Sequence, residues 1–171
     1  CDTHGLEWVI VVPHNIIGPL QKYDDPYRNV ASIMINLMLQ GRQPIIYGDG
    51  NQKRCFSFIQ DDIDILNQII DDPKATGQVI NIGPDEGFIS INELAETIAQ
   101  LLDFDLKPIY KSARPQEVYL ANCSADKARK LFKYNPEVSL KHGLNSMIEY
   151  IKDRGTRKFK YHLDLEIVNH L

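Results

Sequence analysis

Four short segments of the 171-residue chain carry polar side chains that a hydrophobic core does not need. The first is Pro13-His14-Asn15-Ile16-Ile17-Gly18-Pro19, which follows directly on an apolar run. An Asn amide placed there can donate to a phosphate or a hydroxyl; the competing reading is an Asn that caps a turn. The second is Ile45-Ile46-Tyr47-Gly48-Asp49-Gly50 followed by Arg54-Cys55-Phe56-Ser57-Phe58. Tyr47 offers a ring to a flat base, and the planar fork of Arg54 suits a diphosphate. An ordinary hairpin with one surface Arg would give the same pattern. The third is Asn81-Ile82-Gly83, where Gly permits a close backbone approach, although a strand ending in a turn is the better reading. The fourth is Arg114-Pro115-Gln116-Glu117, which can bring a cation to phosphate and a carboxylate to ribose hydroxyls. Its competitor is a local surface ion pair, worth little.

Elements alternate around these segments. Leu6 to Pro13 is short, β-rich and apolar at nearly every position, as in a strand buried on both faces. Asn29 to Leu39 has helical spacing closed by Gly41, and Pro44 to Tyr47 and Cys55 to Ile59 read as short strands. Asp61 and Asp62 start a helix to about Ile70, since first-turn carboxylates complement its dipole. Gln78 to Ile82 is a further buried-type strand. Ser90-x-x-Glu93 matches a capping box, before a helix with Leu94, Ile98, Leu101 and Leu102 on one face. Lys107 to Tyr110 reads as a strand. A short helix ends at Phe132, and another, over Leu140 to Ile151, turns Leu144, Ile148 and Ile151 inward. This alternation predicts an α/β class. Lys152, Arg154, Arg157, Lys158 and Lys160 read as a solvated helix end, and Tyr161 to Ile167 alternates with a strand period.

Composition narrows the function classes. Nineteen basic against 23 acidic residues leave a net charge of −4, a balance that favours solubility over nucleic acid or a membrane surface. The longest uninterrupted apolar run is too short to span a bilayer. Cys1, Cys55 and Cys123 form an odd, widely spaced set that reads as reduced thiols in a cytoplasmic protein. The five histidines lack ligand-like spacing, so no metal is expected.

Taken in order, the four segments resemble the carboxy-terminal half of extended short-chain dehydrogenases/reductases, specifically the NAD-dependent nucleotide-sugar epimerase/dehydratase family. The Asn-x-x-Gly-Pro loop matches Asn15 to Pro19, and the Ile-Tyr-Gly-Asp-Gly stretch followed by Arg matches Ile46 to Arg54. The Asn-Ile-Gly strand end matches Asn81 to Gly83, and the Arg-Pro element matches Arg114 to Glu117. The resemblance covers residues from about 6 to 150. It implies the last strands of a Rossmann-like parallel sheet (residues 1–19 and 60–84), a small α/β substrate-binding domain (20–59 and 85–152) and a tail (153–171). It also implies that Asn15 contacts the sugar diphosphate, with Asn29 and Val30 on the nucleotide side. Ile46 and Tyr47 would line the base pocket, Arg54 and Arg114 hold the diphosphate, and Glu117 meets the ribose. The backbone at Pro13 and His14 would approach the nicotinamide of NAD.

The sequence also departs from the family pattern. Val12 stands where many members carry Arg, Cys55 where Asp usually follows the Arg, and Gln60 replaces a Val-Asp element. A Cys at position 55 reads as a small buried residue rather than a nucleophile. Neither a glycine-rich dinucleotide fingerprint nor a Tyr-x-x-x-Lys occurs, so no catalytic residue is assigned. The chain opens on Cys and enters an apolar run at once, which reads as a piece of a longer protein lacking the amino-terminal dinucleotide-binding half. The implied parent is a nucleotide-sugar epimerase acting on a UDP-linked sugar, uracil being the family-weighted base, with a 4,6-dehydratase or decarboxylase as alternatives. A non-catalytic sugar-nucleotide or NAD(P) sensor is the alternative from another class. Homodimerisation is common in such enzymes and is left open.

Overall fold

In the computed structural model, which describes residues 1–159, helix α1 (Val30–Leu39) runs through the middle of the larger core. It is apolar almost all round, as a helix enclosed by others must be. Asn29 caps it, its Oδ1 accepting from the amide of Ala31 at 2.9 Å. Gly41 (φ +71°) lets the chain turn away beyond its end. Against α1 pack α3 (Ile91–Leu102) and α5 (Leu140–Arg154), with Leu94, Ile98, Leu144 and Ile148 fully buried between them. The expected capping box is present: Glu93 N donates to Ser90 Oγ at 3.1 Å, and Ser90 N to Glu93 Oε2 at 2.7 Å.

The smaller core lies under a parallel pair. Strand β1 (Val9–Pro13) runs beside β6 (Gln78–Ile82), from Val9 opposite Gln78 to Pro13 opposite Ile82. Ile80 and Ile82 are buried with Ile65 and Ile69 of α2 (Ile59–Asp71) and with Ala128 and Phe132 of α4 (Asp126–Phe132). Helix α4, in the range expected for the smaller domain, thus packs on β6 and α2. The strand was expected to be buried on both faces, and it is not. Ile10, Val12 and Val79 are 51%, 45% and 47% exposed, because the helices cover only one side of the pair. Continuous apolar character does not reveal which side is covered.

Three further pairs are short. Strand β2 (Ile16–Ile17) is parallel to β5 (Ser57–Phe58), β3 (Ile45–Tyr47) is parallel to β8 (Ile109–Lys111), and β4 (Lys53–Arg54) is antiparallel to β7 (Ile89–Ser90). The stretch from Ile45 to Phe58 is therefore no hairpin, since each of its three strands pairs elsewhere. The strand expected over Cys55 to Ile59 shrinks to Ser57–Phe58, and α2 begins at Ile59, ahead of Asp61. Asp61 and Asp62 both stand in the first turn, as expected, and Asp62 is completely buried. The fold is α/β with parallel strands, and the alternating segment 161–167, with Lys160 of the basic cluster, lies outside the described residues.

Candidate functional site

Between α1, β3 and the loop after β8 lies a cleft of about 250 Å³. Its floor is apolar, made by Met34 and Leu37 of α1, Ile46 of β3 and Ile91 of α3. All eight residues expected to bind substrate line it, although they come from four separated segments: Asn15; Asn29 and Val30; Ile46, Tyr47 and Arg54; and Arg114 with Glu117. Alternation of strand and helix does this. Strands β3 and β4 deliver Tyr47 and Arg54 from one side, and the loop leaving β8 brings Arg114 and Glu117 over the opening.

The charges on the walls are mostly positive. Arg28, Arg54 and Arg114 all reach the cleft, against the single carboxylate of Glu117. Arg54 Nη2 lies 3.7 Å from Glu117 Oε1, and Arg54 Nη1 donates to the carbonyl of Lys53 at 2.8 Å. The partner of Glu117 is thus Arg54, not the nearby Arg114 that a local surface pair would have required. Arg114 instead lays its guanidinium over the Tyr47 ring, 4.1 Å from the centroid. A planar cation on an aromatic face, next to a paired Arg, is suited to an anion joined to a flat ring.

Sequence reasoning missed Arg28, Gln52 and Phe56 as cleft residues. Gln52 is 6% exposed; its Nε2 donates to the Tyr47 carbonyl at 2.9 Å and lies 3.5 Å from Glu117 Oε1, so it braces both walls. Its place between Asp49-Gly50 and Arg54 is the one signal that could have drawn attention to it.

Asn15 takes the turn reading in the ligand-free chain. With φ +44° it turns the chain, and its Nδ2 donates to the Cys55 carbonyl at 3.1 Å while the residue lines the cleft. Pro13 and His14 stand apart from the cleft, at the carboxyl end of β1. The His14 amide donates to the Ile82 carbonyl at 3.0 Å, and the His14 carbonyl accepts from Ser57 Oγ at 2.7 Å. Burial holds the His14 ring below the usual imidazole range; the nearby Arg54 charge adds to this, and a hydrogen bond with the Ala121 backbone opposes it. Gly83 (φ +125°) admits a close approach, and what approaches is His14: a Cβ on Gly83 would come within 2.9 Å of the His14 Cβ. Cys55 is buried, its Sγ donating to the Pro84 carbonyl at 2.9 Å. Burial, reinforced by the neighbouring Cys123, pushes its thiol up to about 11, which leaves it a packing residue. Among the described residues no three His, Cys, Asp or Glu side chains gather as a metal centre requires, and no helix is long and apolar enough to cross a membrane.

Residues 1–83 match the family model of the NAD-dependent epimerase/dehydratase family. The chain is 32% identical over 155 residues to a protein of Bacillus cytotoxicus named UDP-N-acetyl-α-D-glucosaminuronate decarboxylase, covering 87% of this chain and 47% of that one. It superposes on the UDP-glucose 4-epimerase of Thermotoga maritima, solved with UDP-glucose, with a TM-score of 0.80 at 27% identity, covering 90% of this chain and 48% of that one. The UDP-glucuronic acid 4-epimerase of Bacillus cereus, solved with UDP-glucuronic acid and NAD, gives a TM-score of 0.78 at 29% identity, covering 86% of this chain and 46% of that one. The chain spans about half the length of the relatives it matches.

Proposed function

This chain belongs to the NAD-dependent epimerase/dehydratase family, and on that premise we propose that it is the carboxy-terminal, sugar-nucleotide-binding part of a nucleotide-sugar epimerase. One observation carries the reading: eight residues from four separated segments converge on one cleft with an apolar floor and cationic walls. Arg54 and Arg114 hold the diphosphate, Asn15 meets its sugar side, and Glu117 accepts from ribose hydroxyls. Tyr47 and Ile46 take the base, with Asn29 and Val30 along the nucleotide. The relatives solved with UDP-sugars support uracil as that base.

Pro13 and His14 fit the edge of a nicotinamide. They lie at the carboxyl ends of the parallel strands β1 and β6, where open α/β sheets bind ligands, and Pro13 is exposed there. When bound, NAD supplies a hydride acceptor that oxidises a sugar carbon and then returns the hydride. What this chain offers is position: the His14 carbonyl is committed to Ser57, so the segment presents a fixed backbone and the Pro13 ring. No proton-transferring group is assigned among the described residues.

A decarboxylase of the same family is a second reading, favoured by the 32% identity to the protein so named. Calorimetric titration of the chain with UDP-glucose, beside GDP- and dTDP-glucose, tests the shared claim. Saturable binding of the UDP-sugar that Arg114→Ala weakens supports it. No heat with any of the three sinks it.

A further inference from the structure

Ser57 Oγ lies 2.7 Å from the His14 carbonyl oxygen and 3.0 Å from Asp62 Oδ2, and it has one hydrogen. A carbonyl cannot donate, so that hydrogen goes to His14. The contact with Asp62 is then a hydrogen bond only when the proton is on the carboxyl. Both side chains are shielded: Asp62 is 0% and Ser57 1% exposed, and the other carboxyl oxygen, Asp62 Oδ1, is buried with no partner among the described residues. An ionised carboxylate in such a place is costly. We propose that Asp62 is a positioning residue that, as a neutral acid, donates to Ser57, which donates to the His14 carbonyl and so fixes the His14–Asn15 turn beside the cleft.

Its consequence for ligand binding rests on the sugar-nucleotide reading above. Asn15, the next residue, lines the cleft and is held on its other side by the Cys55 carbonyl. When Asp62 ionises, its carboxylate takes the Ser57 hydrogen, and the His14 carbonyl loses its partner. Burial pushes the Asp62 carboxyl up to about 6, with the Ser57 hydrogen bond opposing and Asp61 on the same helix adding to the rise. The titratable groups that act on Asp62 are Asp61 of α2 and Tyr134 beyond α4; at the other end of this chain of bonds stand the His14 ring, which feels the Arg54 charge, and Cys55, which feels Cys123 and Asp85.

The test separates Asp62 from the His14 ring, which titrates nearby. Asp62→Asn keeps a donor toward Ser57 at every pH and leaves the ring intact. In ligand-free protein, the side-chain carboxyl resonance of Asp62 and the backbone amides of Asn15 and Ile16 should shift together in carbon- and nitrogen-detected spectra. In Asp62→Asn the amide shifts should disappear while the His14 ring still titrates. UDP-glucose, whose diphosphate stays ionised throughout, should bind about fivefold more weakly at about pH 8 than at about pH 5 in the parent and equally in the variant. Amide shifts that survive in Asp62→Asn, or a carboxyl that titrates like a solvated aspartate, overturn the proposal. Absence of UDP-glucose binding at every pH overturns the functional reading instead, and leaves the resonance test to decide this one.

Discussion

The guanidinium of Arg114 lies 4.1 Å from the centroid of the Tyr47 ring, so the cation proposed for a phosphate covers the face proposed for a base. The two residues come from paired strands, β3 and the exit of β8, and their contact is a property of the sheet. A nucleotide has to share or displace that contact. Arg114→Ala is therefore expected to weaken UDP-glucose binding by about 10- to 100-fold, the loss of one charge-assisted hydrogen-bonding group. Arg114→Lys should not restore it, since an ammonium lacks the planar fork and stacks poorly. Calorimetric titration of the three proteins checks this, and full rescue by Lys would show that charge alone matters.

The Arg54–Glu117 pair makes a different expectation. At 3.7 Å the contact is long, and both side chains retain some exposure, 16% and 25%. Such a pair contributes at most about 1 kcal/mol to stability. Glu117→Gln should hardly move the thermal midpoint, yet it should lower affinity for UDP-glucose more than for a ligand without ribose hydroxyls, such as pyrophosphate. Equal losses for both ligands would remove Glu117 from the ribose.

Much of the cleft was legible because its residues sit in short motifs whose order survives in one sequence. Tyr47, Arg54 and Arg114 could be named from type and spacing, and all reach the cleft. Their pairing could not. Glu117 stands three residues from Arg114 in sequence but meets Arg54 through a fold-level approach, and Gln52 braces two walls that no local pattern connects. Helical elements were legible where burial has a 3.6-residue period, as in α3 and α5. The side of β1 that is covered was not, because a uniformly apolar strand carries no alternation to read. Asp62 stands in the first turn as expected, but its burial was not legible, because a first-turn carboxylate looks alike whether it faces water or Ser57.

Asp85 takes Arg129 through two hydrogen bonds, of 2.8 and 2.6 Å, and accepts from the Ala125 amide at 3.0 Å. It ties the loop after β6 to the start of α4. The Arg129 hydrogen bonds, with the Ala125 amide, hold its carboxyl down at about 2 against partial burial. A carboxyl depressed in the folded state stabilises above its unfolded value near 3.8, and that stability is lost as pH falls toward about 2. Because Arg129 remains 43% exposed, solvent screening keeps the effect modest, about 1–2 kcal/mol. Asp85→Asn should thus lower the urea midpoint at neutral pH and close the gap to the parent as the pH drops below about 3. A gap that stays constant across that range would assign the loss to packing rather than to charge.

The capping box at Ser90 gives the cleanest local test. Its hydroxyl accepts from Glu93 N, and the Glu93 carboxylate accepts from Ser90 N, so two orphan amides of α3 are satisfied at once. Ser90 also sits in β7 opposite Lys53, where the strand that carries Arg54 is pinned. Ser90→Ala removes one of the two cap bonds and should cost about 1 kcal/mol by urea denaturation. Ser90→Thr keeps a hydroxyl, but Ser90 is 7% exposed and must find room for a methyl, so a smaller loss is expected there. The backbone pairing of β7 with β4 needs no side chain, so UDP-glucose affinity should survive both changes. An affinity lost together with the cap would mean that α3 and the Arg54 strand move as one unit.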